Sequence, residues 1–368
     1  MPRRKKSLPP IPKPLFQRET QTKKLLVPAV EQALINHLAG HEFRSSVVWT
    51  AGRGQLAAAL SNRGESSLFV MDNWLSRQCQ AFLERESAGP VQVFCQPDWP
   101  TDKHDLAVIA LSKSDSKELL LELFQSAWLG LESGGKLVVA GEKSAEAWLR
   151  KSLSPFSKSI QAKVHRRSIV LAMESTGELS RPRSWECELA FRDSGNLVKL
   201  LTRPGVFAHR KMDNGARQLL ECVQLEPGAK VLDIGCGSGA VSLGLAMRDP
   251  SIEVLAVDSH SRAVECTQRG AELNGLKNVQ TLCADDGDYG YDGQFDVALG
   301  NPPYYSGFRI SEIFCTAASR NLRPGGRAIL VTKTPEWYQN RLPEFLDNVE
   351  IFKSGRYHIA TGIARDAK

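Results

Sequence analysis

The segment Asn301-Pro-Pro-Tyr304 combines residue types that could hold an amine ready to react. Two consecutive prolines fix the backbone and carry no N–H donors, so carbonyl groups remain available as acceptors. If the Asn301 side-chain oxygen and the Pro302 carbonyl accept the two hydrogens of an amine or amide, the nitrogen lone pair turns away from them. Tyr304 could stack on a planar substrate. The alternative is a structural turn with a buried aromatic residue.

A glycine-rich turn lies upstream, in Asp233-Ile-Gly-Cys-Gly-Ser-Gly239. Its glycines, Gly235, Gly237 and Gly239, lack side chains that would keep a ligand from the backbone. Asp258 follows the last glycine by 19 residues, where an acid at the end of the next strand can accept hydrogen bonds from ribose hydroxyls. The spacing is GxGxG and not the GxGxxG of dinucleotide enzymes, which makes an NAD-binding oxidoreductase the weakest alternative.

Short strands followed by helices must position these residues. Val231 to Ile234 predicts a buried strand before the glycine turn, and Ala240 to Met247 has helical spacing. Glu253 to Asp258 predicts a second strand and Phe295 to Asn301 a fourth. Because open parallel sheets bind ligands at the carboxyl ends of their strands, these segments should meet at one edge.

The N-terminal half repeats this plan. HDLAVIA, from His104 to Ala110, parallels FDVALGN in the second half. From Asp105 to Gly134 is 29 residues, and from Asp296 to Gly325 is also 29. We therefore predict an α/β fold with two tandem Rossmann-like domains that arose by duplication.

The first copy has lost the residues that could do chemistry. Its glycine turn reads Trp49-Thr-Ala-Gly-Arg-Gly-Gln55, with Trp49 in place of an aspartate and Arg53 among the glycines. Ala110-Leu-Ser-Lys113 stands where the second copy has its Asn-Pro-Pro-Tyr segment. We predict that the first domain is degenerate and binds substrate or supports the second domain. Asp72 is expected to cap a helix or turn.

Charge and composition suggest the partners and the compartment. Residues 1–24 hold eight Lys or Arg and one Glu, so the net charge of this segment alone exceeds the +6 of the whole chain. The segment predicts a flexible basic arm suited to phosphate contact or to solubility. After this arm we expect the degenerate first domain at residues 25–185 and the second domain at residues 186–368. Eight cysteines without CxxC pairs or clustered histidines argue against a metal site and for reduced thiols in the cytoplasm. No apolar run is long enough to cross a bilayer, so we expect no membrane span.

The glycine turn, with its leading aspartate, resembles the first motif of class I S-adenosylmethionine-dependent methyltransferases. Within that class, the chain resembles the bacterial ribosomal RNA guanine-N2 methyltransferases of the RsmC and RlmG type. The resemblance rests on the degenerate N-terminal half, on Arg203-Pro-Gly-Val-Phe-Ala-His209 with Asp213 and Gly215 following, and on the Asn-Pro-Pro-aromatic motif. It is strong from about Leu200 onward. The usual Phe-His after the prolines is replaced by two tyrosines.

The resemblance implies S-adenosylmethionine as cofactor and assigns roles to individual residues. Asp285 would contact the adenine amino group, with Ala284 close by. The expected cofactor-binding residues are Asp233, Gly235, Gly237, Gly239, Asp258, Ala284, Asp285 and Asn301. The expected catalytic residues are Asn301, Pro302 and Tyr304, and the expected substrate contacts are Pro303, Tyr304, Tyr305, Phe207 and Asp213.

The predicted function is methylation of the exocyclic N2 of a guanine in ribosomal RNA of the small or large subunit. The substrate would be the naked RNA or a ribosomal subunit, and the enzyme would act as a monomer. Methylation of adenine N6 or of a protein glutamine N5 is an alternative, because those enzymes also use Asn-Pro-Pro-Tyr. A further alternative is a non-catalytic RNA-binding or ribosome-assembly factor.

Overall fold

The computed structural model describes residues 26–86, 89–176, 178–303 and 307–366. The predicted basic arm, residues 1–24, lies outside the described residues. Within the described ranges, no helix is long and apolar enough to cross a membrane.

The first half forms seven strands and five helices. The strands are β1 Ser45–Trp49, β2 Glu65–Val70, β3 Val91–Cys95, β4 His104–Ala110, β5 Leu131–Glu142, β6 Gln161–Val164 and β7 Ser168–Glu174. The helices are α1 Ala29–Leu38, α2 Gln55–Ser61, α3 Asn73–Arg85, α4 Lys117–Gly130 and α5 Glu146–Leu153, the last preceded by a 3₁₀ turn, Lys143–Ala145.

The second half begins with a hairpin, β8 Cys187–Asp193 and β9 Asn196–Thr202, and then repeats the plan. Its sheet strands are β10 Lys230–Ile234, β11 Glu253–Asp258, β12 Val279–Cys283, β13 Phe295–Gly300, β14 Leu322–Thr332, β15 Asp347–Ser354 and β16 Tyr357–Ile363. The helices are α6 Asn214–Cys222, α7 Ala240–Arg248, α8 Ser261–Leu273, α9 Arg309–Asn321 and α10 Pro335–Arg341, with a 3₁₀ turn, Leu342–Glu344.

The two sheets have the same strand order. The first runs β3-β2-β1-β4-β5-β7-β6 and the second β12-β11-β10-β13-β14-β16-β15. In each, the first five strands pair in parallel, and the last two pairings along the sheet are antiparallel. This identity confirms the predicted duplicated α/β fold. Gly134 and Gly325, which ended the two equal intervals of the sequence, both have positive φ angles, 83° and 75°.

Burial explains why these segments become central strands. Val231 and Leu232 of β10 are fully buried, as are Val48 of β1 and Val108 of β4, because helices cover both faces of each sheet. The hairpin β8–β9 packs its apolar side chains into the core of the second half. The domain boundary between residues 185 and 186 stays a prediction.

The two halves meet at the carboxyl ends of equivalent strands. Just after β2, Asp72 pairs with His260, just after β11, in an isolated antiparallel bridge. The Asn73 backbone N–H donates to Ser259 at 2.7 Å, and the Ser261 N–H donates to Met71 at 2.7 Å. Each half therefore donates one such bond to the other in an approximately two-fold arrangement, which turns the ligand-binding edges of both sheets toward each other.

Buried ion pairs hold the two halves together. Arg203 and Arg262, from the second half, both donate to Glu122 on α4 of the first half, at 2.9 and 2.7 Å. Arg203 also pairs with Asp98 and with Glu265. Both arginines and Glu122 are almost inaccessible to solvent. Removal of one partner would strand charges in the interior, so this cluster fixes how the halves sit against each other.

Candidate active site

A cavity of about 1130 Å³ opens where the second sheet faces the first half. The sequence-predicted residues that line it are Gly235, Gly237, Asp258, Ala284, Asp285, Asn301, Pro302, Pro303, Phe207 and Asp213. Asp233 and Gly239 lie in the same turn but are not among the lining residues. Tyr304 and Tyr305 lie outside the described residues. The fold thus brings the glycine turn, Asp258 and the Asn-Pro-Pro segment to one edge, as the strand pattern predicted.

The glycine turn is shaped to let a ligand reach the backbone. Gly235, Gly237 and Gly239 have φ angles of 72°, 57° and 80°, which side-chain-bearing residues rarely adopt. A Cβ on Gly237 would lie 2.1 Å from the Phe207 carbonyl oxygen, which also accepts a hydrogen bond from the Ser238 N–H at 3.1 Å. The segment after β9 therefore lies directly over the turn, and only glycine fits beneath it.

Asp233 supports the turn from behind. Its carboxylate is buried at the end of β10 and accepts a hydrogen bond from the Ser242 hydroxyl on α7. Burial raises the pKa of Asp233 to about 6. This hydrogen bond ties the strand to the helix on either side of the turn, and the cofactor-binding role of Asp233 stays a prediction.

Asp258 presents a carboxylate beside the glycine turn. One oxygen accepts a hydrogen bond from the Gly237 N–H at 2.9 Å and the other from the His260 N–H at 2.9 Å. Burial raises its pKa to about 6. Each carboxylate oxygen can accept further bonds, so the group can receive two hydroxyls of a ribose. The cavity, the bare turn and this carboxylate together fit the adenosyl part of S-adenosylmethionine.

Asp285 is engaged by the first half of the chain. Its carboxylate accepts hydrogen bonds from the Asn73 side chain at 2.9 Å and from Arg77 at 2.5 Å. Arg77 also pairs with Asp286 at 3.0 Å. The sequence did not suggest this interaction, because more than 200 residues separate the partners. Binding of an adenine amino group by Asp285 stays a prediction.

The side chain of Asn301 is held in one orientation. Its amide nitrogen donates to Asp213 Oδ2 at 2.7 Å, so the amide oxygen is the atom left for a substrate. Asp213 also caps α6 by accepting the Ala216 N–H at 3.1 Å. A Cβ on Gly215 would lie 2.8 Å from both polar atoms of Asn301. Asp213 thus holds the Asn301 side chain, and its predicted contact with the substrate stays a prediction.

Phe207 is the apolar side chain most exposed around the cavity. It is 64% accessible although it lines the pocket, and such exposure of an aromatic residue indicates a surface for stacking. Lys333, after β14, also lines the cavity, with its Nζ 5.1 Å from the Tyr357 ring centre.

The equivalent turn in the first half is filled by the protein itself. Glu31 on α1 accepts hydrogen bonds from the Thr50 hydroxyl and from the Ala51 and Gly52 N–H groups, the latter two at 2.9 Å. Burial raises the pKa of Glu31. Asp72 caps α3 by accepting the Leu75 N–H at 2.9 Å, which confirms its predicted role. The first copy therefore presents its turn amides to its own carboxylate.

Across the described ranges, no group of three or more His, Cys, Asp or Glu residues could hold a metal ion.

Residues 197–361 match the family model described as the methyltransferase small domain.

Two relatives extend this match over most of the chain. The ribosomal RNA small subunit methyltransferase C of Shewanella piezotolerans is 29% identical over 293 residues, which cover 77% of this chain and 84% of the relative. The ribosomal RNA large subunit methyltransferase G of Streptomyces coelicolor is 28% identical over 351 residues, covering 89% of this chain and 91% of the relative.

A solved structure shares the whole two-domain fold. The 16S ribosomal RNA N2 G1207 methyltransferase (RsmC) of T. thermophilus, solved in complex with AdoMet and guanosine, superposes with a TM-score of 0.77 at 24% identity and covers 92% of both chains. Residues 197–361 thus match a methyltransferase domain, most of the chain is similar to bacterial ribosomal RNA methyltransferases of the C and G types, and the solved structure shares its two-domain fold.

Proposed function

We propose that this chain transfers the methyl group of S-adenosylmethionine to the exocyclic N2 of a guanine in ribosomal RNA. The observation that carries the proposal is the fixed amide of Asn301, which stands beside the glycine turn with its oxygen left to accept. The similarity to methyltransferases of small-subunit and large-subunit ribosomal RNA supports this class of substrate.

The protein's part in the reaction is to hold the amine. The Asn301 amide oxygen and the Pro302 carbonyl accept the two N2 hydrogens, so the nitrogen lone pair points toward the cofactor. When bound, S-adenosylmethionine would supply an electrophilic methyl group on its sulfonium, and the thioether S-adenosylhomocysteine would be the leaving group. The N–C bond forms as the S–C bond breaks, and the nitrogen then loses a proton to solvent. Positioning is the main source of rate, and no strong general base is required.

The target guanine must leave its helix or loop to reach these acceptors. N2 lies in the minor groove and pairs with cytosine, so a paired base has to be flipped at a cost of about a few kcal/mol. Stacking on Phe207, which is exposed at the cavity, and on Tyr304 offsets part of that cost.

Two properties of the working enzyme complete the proposal. It acts as a monomer, because the first half already covers the ligand-binding edge of the second sheet. It acts in the cytoplasm on RNA or on a ribosomal subunit, in keeping with eight cysteines that are all unpaired.

The experiment is to incubate the protein with methyl-labelled S-adenosylmethionine and unmodified ribosomal RNA or subunits, and to identify the labelled nucleoside after digestion. N2-methylguanosine is the expected product. N6-methyladenosine alone, or label in ribosomal protein, would show that another amine is the target. Asn301→Ala should abolish transfer and keep cofactor binding, whereas loss of binding would mean that Asn301 holds the cofactor.

A further inference from the structure

An aromatic side chain of the first half lies in the wall of the active-site cavity. Trp74, near the start of α3, is half-buried and lines the cavity next to Leu75. The guanidinium carbon of Arg53 lies 5.6 Å from the Trp74 ring centre, and that of Arg309 lies 5.2 Å from it. Two cations from different halves of the chain thus share one ring.

Each member of this cluster is held in place. The Asn73 N–H donates to the Ser259 carbonyl at 2.7 Å, which anchors the start of α3 on the second half. Arg309 begins α9, and the preceding Phe308 stacks on Trp337 with 5.0 Å between ring centres. Trp74 therefore has a fixed position relative to the active-site cavity.

Arg53 is the residue that interrupts the first glycine turn. Its backbone N–H donates to the Gln55 side chain at 2.6 Å and its guanidinium to Gln78 at 3.2 Å, so the turn directs the side chain toward α3. In the second half the equivalent turn is bare glycine and faces the cofactor site. The degenerate turn thus places a cation over Trp74, a residue that lines the second half's cavity.

Charge at the cavity explains why an RNA-binding enzyme needs cations here. Its lining carries four carboxyl groups, those of Asp72, Asp213, Asp258 and Asp285. A polyanion that delivers a base into such a cavity is repelled unless cations line its path. Arg309 lines the cavity, and within the described residues no carboxylate forms a salt bridge with it. Lys211 and Lys333 also line the cavity.

We propose that Arg53 and Arg309, whose guanidinium groups both lie over the Trp74 ring, form a binding site for an RNA phosphate next to the target nucleotide. The inference rests on the proposed function and assigns to the degenerate half a share of substrate binding. A guanidinium stacked on an aromatic ring keeps its N–H donors at the edge, where they can form two parallel bonds to phosphate oxygens. Trp74 acts as a positioning residue, because the ring holds both cations in one place before RNA arrives.

The test measures RNA binding without methyl transfer. A fluorescein-labelled single-stranded RNA is titrated with full-length protein at several salt concentrations, and affinity follows from anisotropy. Arg53→Ala and Arg309→Ala should each weaken binding about tenfold, the loss typical of one charge-assisted bond. Removal of both should make the negative slope of log affinity against log salt shallower, by about 0.7 for each phosphate that the protein no longer neutralises. The matched control is Arg192→Ala, an exposed arginine of the hairpin β8–β9.

Two further measurements separate the possible causes. Trp74→Phe keeps an aromatic ring and should retain most of the affinity, whereas Trp74→Ala should weaken binding like the loss of an arginine. Thermal unfolding of each variant verifies that it is folded, so that a loss of affinity reports on the RNA contact. If the double arginine variant binds RNA with wild-type affinity and salt slope, the inference is overturned even when the wild type forms N2-methylguanosine. If the arginine variants weaken RNA binding as expected but the wild type methylates no guanine, the proposed function fails while the phosphate site stands.

Discussion

Asp213→Ala tests whether Asn301 must be held in one orientation for transfer to occur. In the native protein the Asn301 amide nitrogen donates to Asp213 at 2.7 Å, and this bond assigns the amide oxygen to the substrate. Alanine removes the acceptor, and the amide can then turn over and offer its nitrogen instead. An amide nitrogen cannot accept a hydrogen from the guanine amine, so only molecules with the native orientation can react.

The size of the effect follows from the strength of this bond. A hydrogen bond to a charged group contributes about 1.5–3 kcal/mol, which favours the native orientation by a factor of roughly 10 to 150. Without it the two orientations become comparable, and the reactive fraction falls about twofold. Loss of the restraint on position adds to this, because a displacement of about 1 Å can cost roughly 100-fold in rate. The rate constant for transfer should therefore fall between about twofold and 100-fold.

The variant also loses the cap of α6, which lowers the free energy of unfolding by about 1 kcal/mol. A control for that loss is Ser116→Ala, which removes the cap of α4 in the first half, where the Ser116 hydroxyl accepts the Leu119 N–H at 3.2 Å. It should reduce stability and leave the rate constant unchanged. Asp213→Asn keeps an oxygen for both bonds and should restore most of the rate.

The assay is single-turnover transfer from labelled S-adenosylmethionine with enzyme in excess over RNA, combined with thermal unfolding of each variant. A wild-type rate constant in Asp213→Ala would refute the reasoning, because Asn301 would then be oriented by something else. So would an Asp213→Asn enzyme as slow as Asp213→Ala, since charge rather than orientation would be what matters.

Three more changes have definite expected outcomes. Gly215→Ala should slow transfer by displacing Asn301, whereas Gly40→Ala, where a Cβ meets nothing within 4 Å, should not change the rate. Glu122→Ala leaves two buried arginines without their shared acceptor and should lower the free energy of unfolding by about 3–5 kcal/mol, measured in urea. Because burial raises the pKa of Asp258 to about 6, its carboxylate is lost as the pH falls through that value. Cofactor affinity by calorimetry should be about tenfold lower one unit below that pKa than at neutral pH, and Asp258→Asn should remove the part of this dependence that comes from Asp258, leaving any part from Asp233, whose pKa burial also raises to about 6.

The duplicated fold could be predicted because its signals are local. Strands buried on both faces appear as short apolar runs, and the equal intervals from Asp105 to Gly134 and from Asp296 to Gly325 mark equivalent turns. The rule that ligands bind at the carboxyl ends of parallel strands then brought the glycine turn, Asp258 and Asn301 together. Each of these inferences needs only periodicity or spacing within one domain.

Interactions between distant segments could not be predicted in this way. Arg203 and Glu122 are 81 residues apart, and Asn301 and Asp213 are 88 apart. The helix α4 carries two glutamates, Glu118 and Glu122, and nothing in their spacing shows that Glu122 is a shared acceptor for two arginines and not an ordinary surface charge. Asp213 and Gly215 drew attention only through the family resemblance, and their effect on Asn301 depends on how α6 packs against the end of β13.

The degenerate half keeps a role in the site because of how the two sheets are joined. In a single domain of this fold the carboxyl edge of the sheet is open, and ligands enter there. Here the equivalent edges face each other, so residues that would have bound a ligand in the first copy become the wall of the second copy's cavity. In the first copy, the Glu31 carboxylate accepts the backbone N–H groups of the turn and so occupies the place where a ligand would bind. Asn73 and Arg77 hold Asp285, and Trp74 reaches the cavity itself. Loss of catalysis in one copy and support of catalysis in the other are thus consequences of the same geometry.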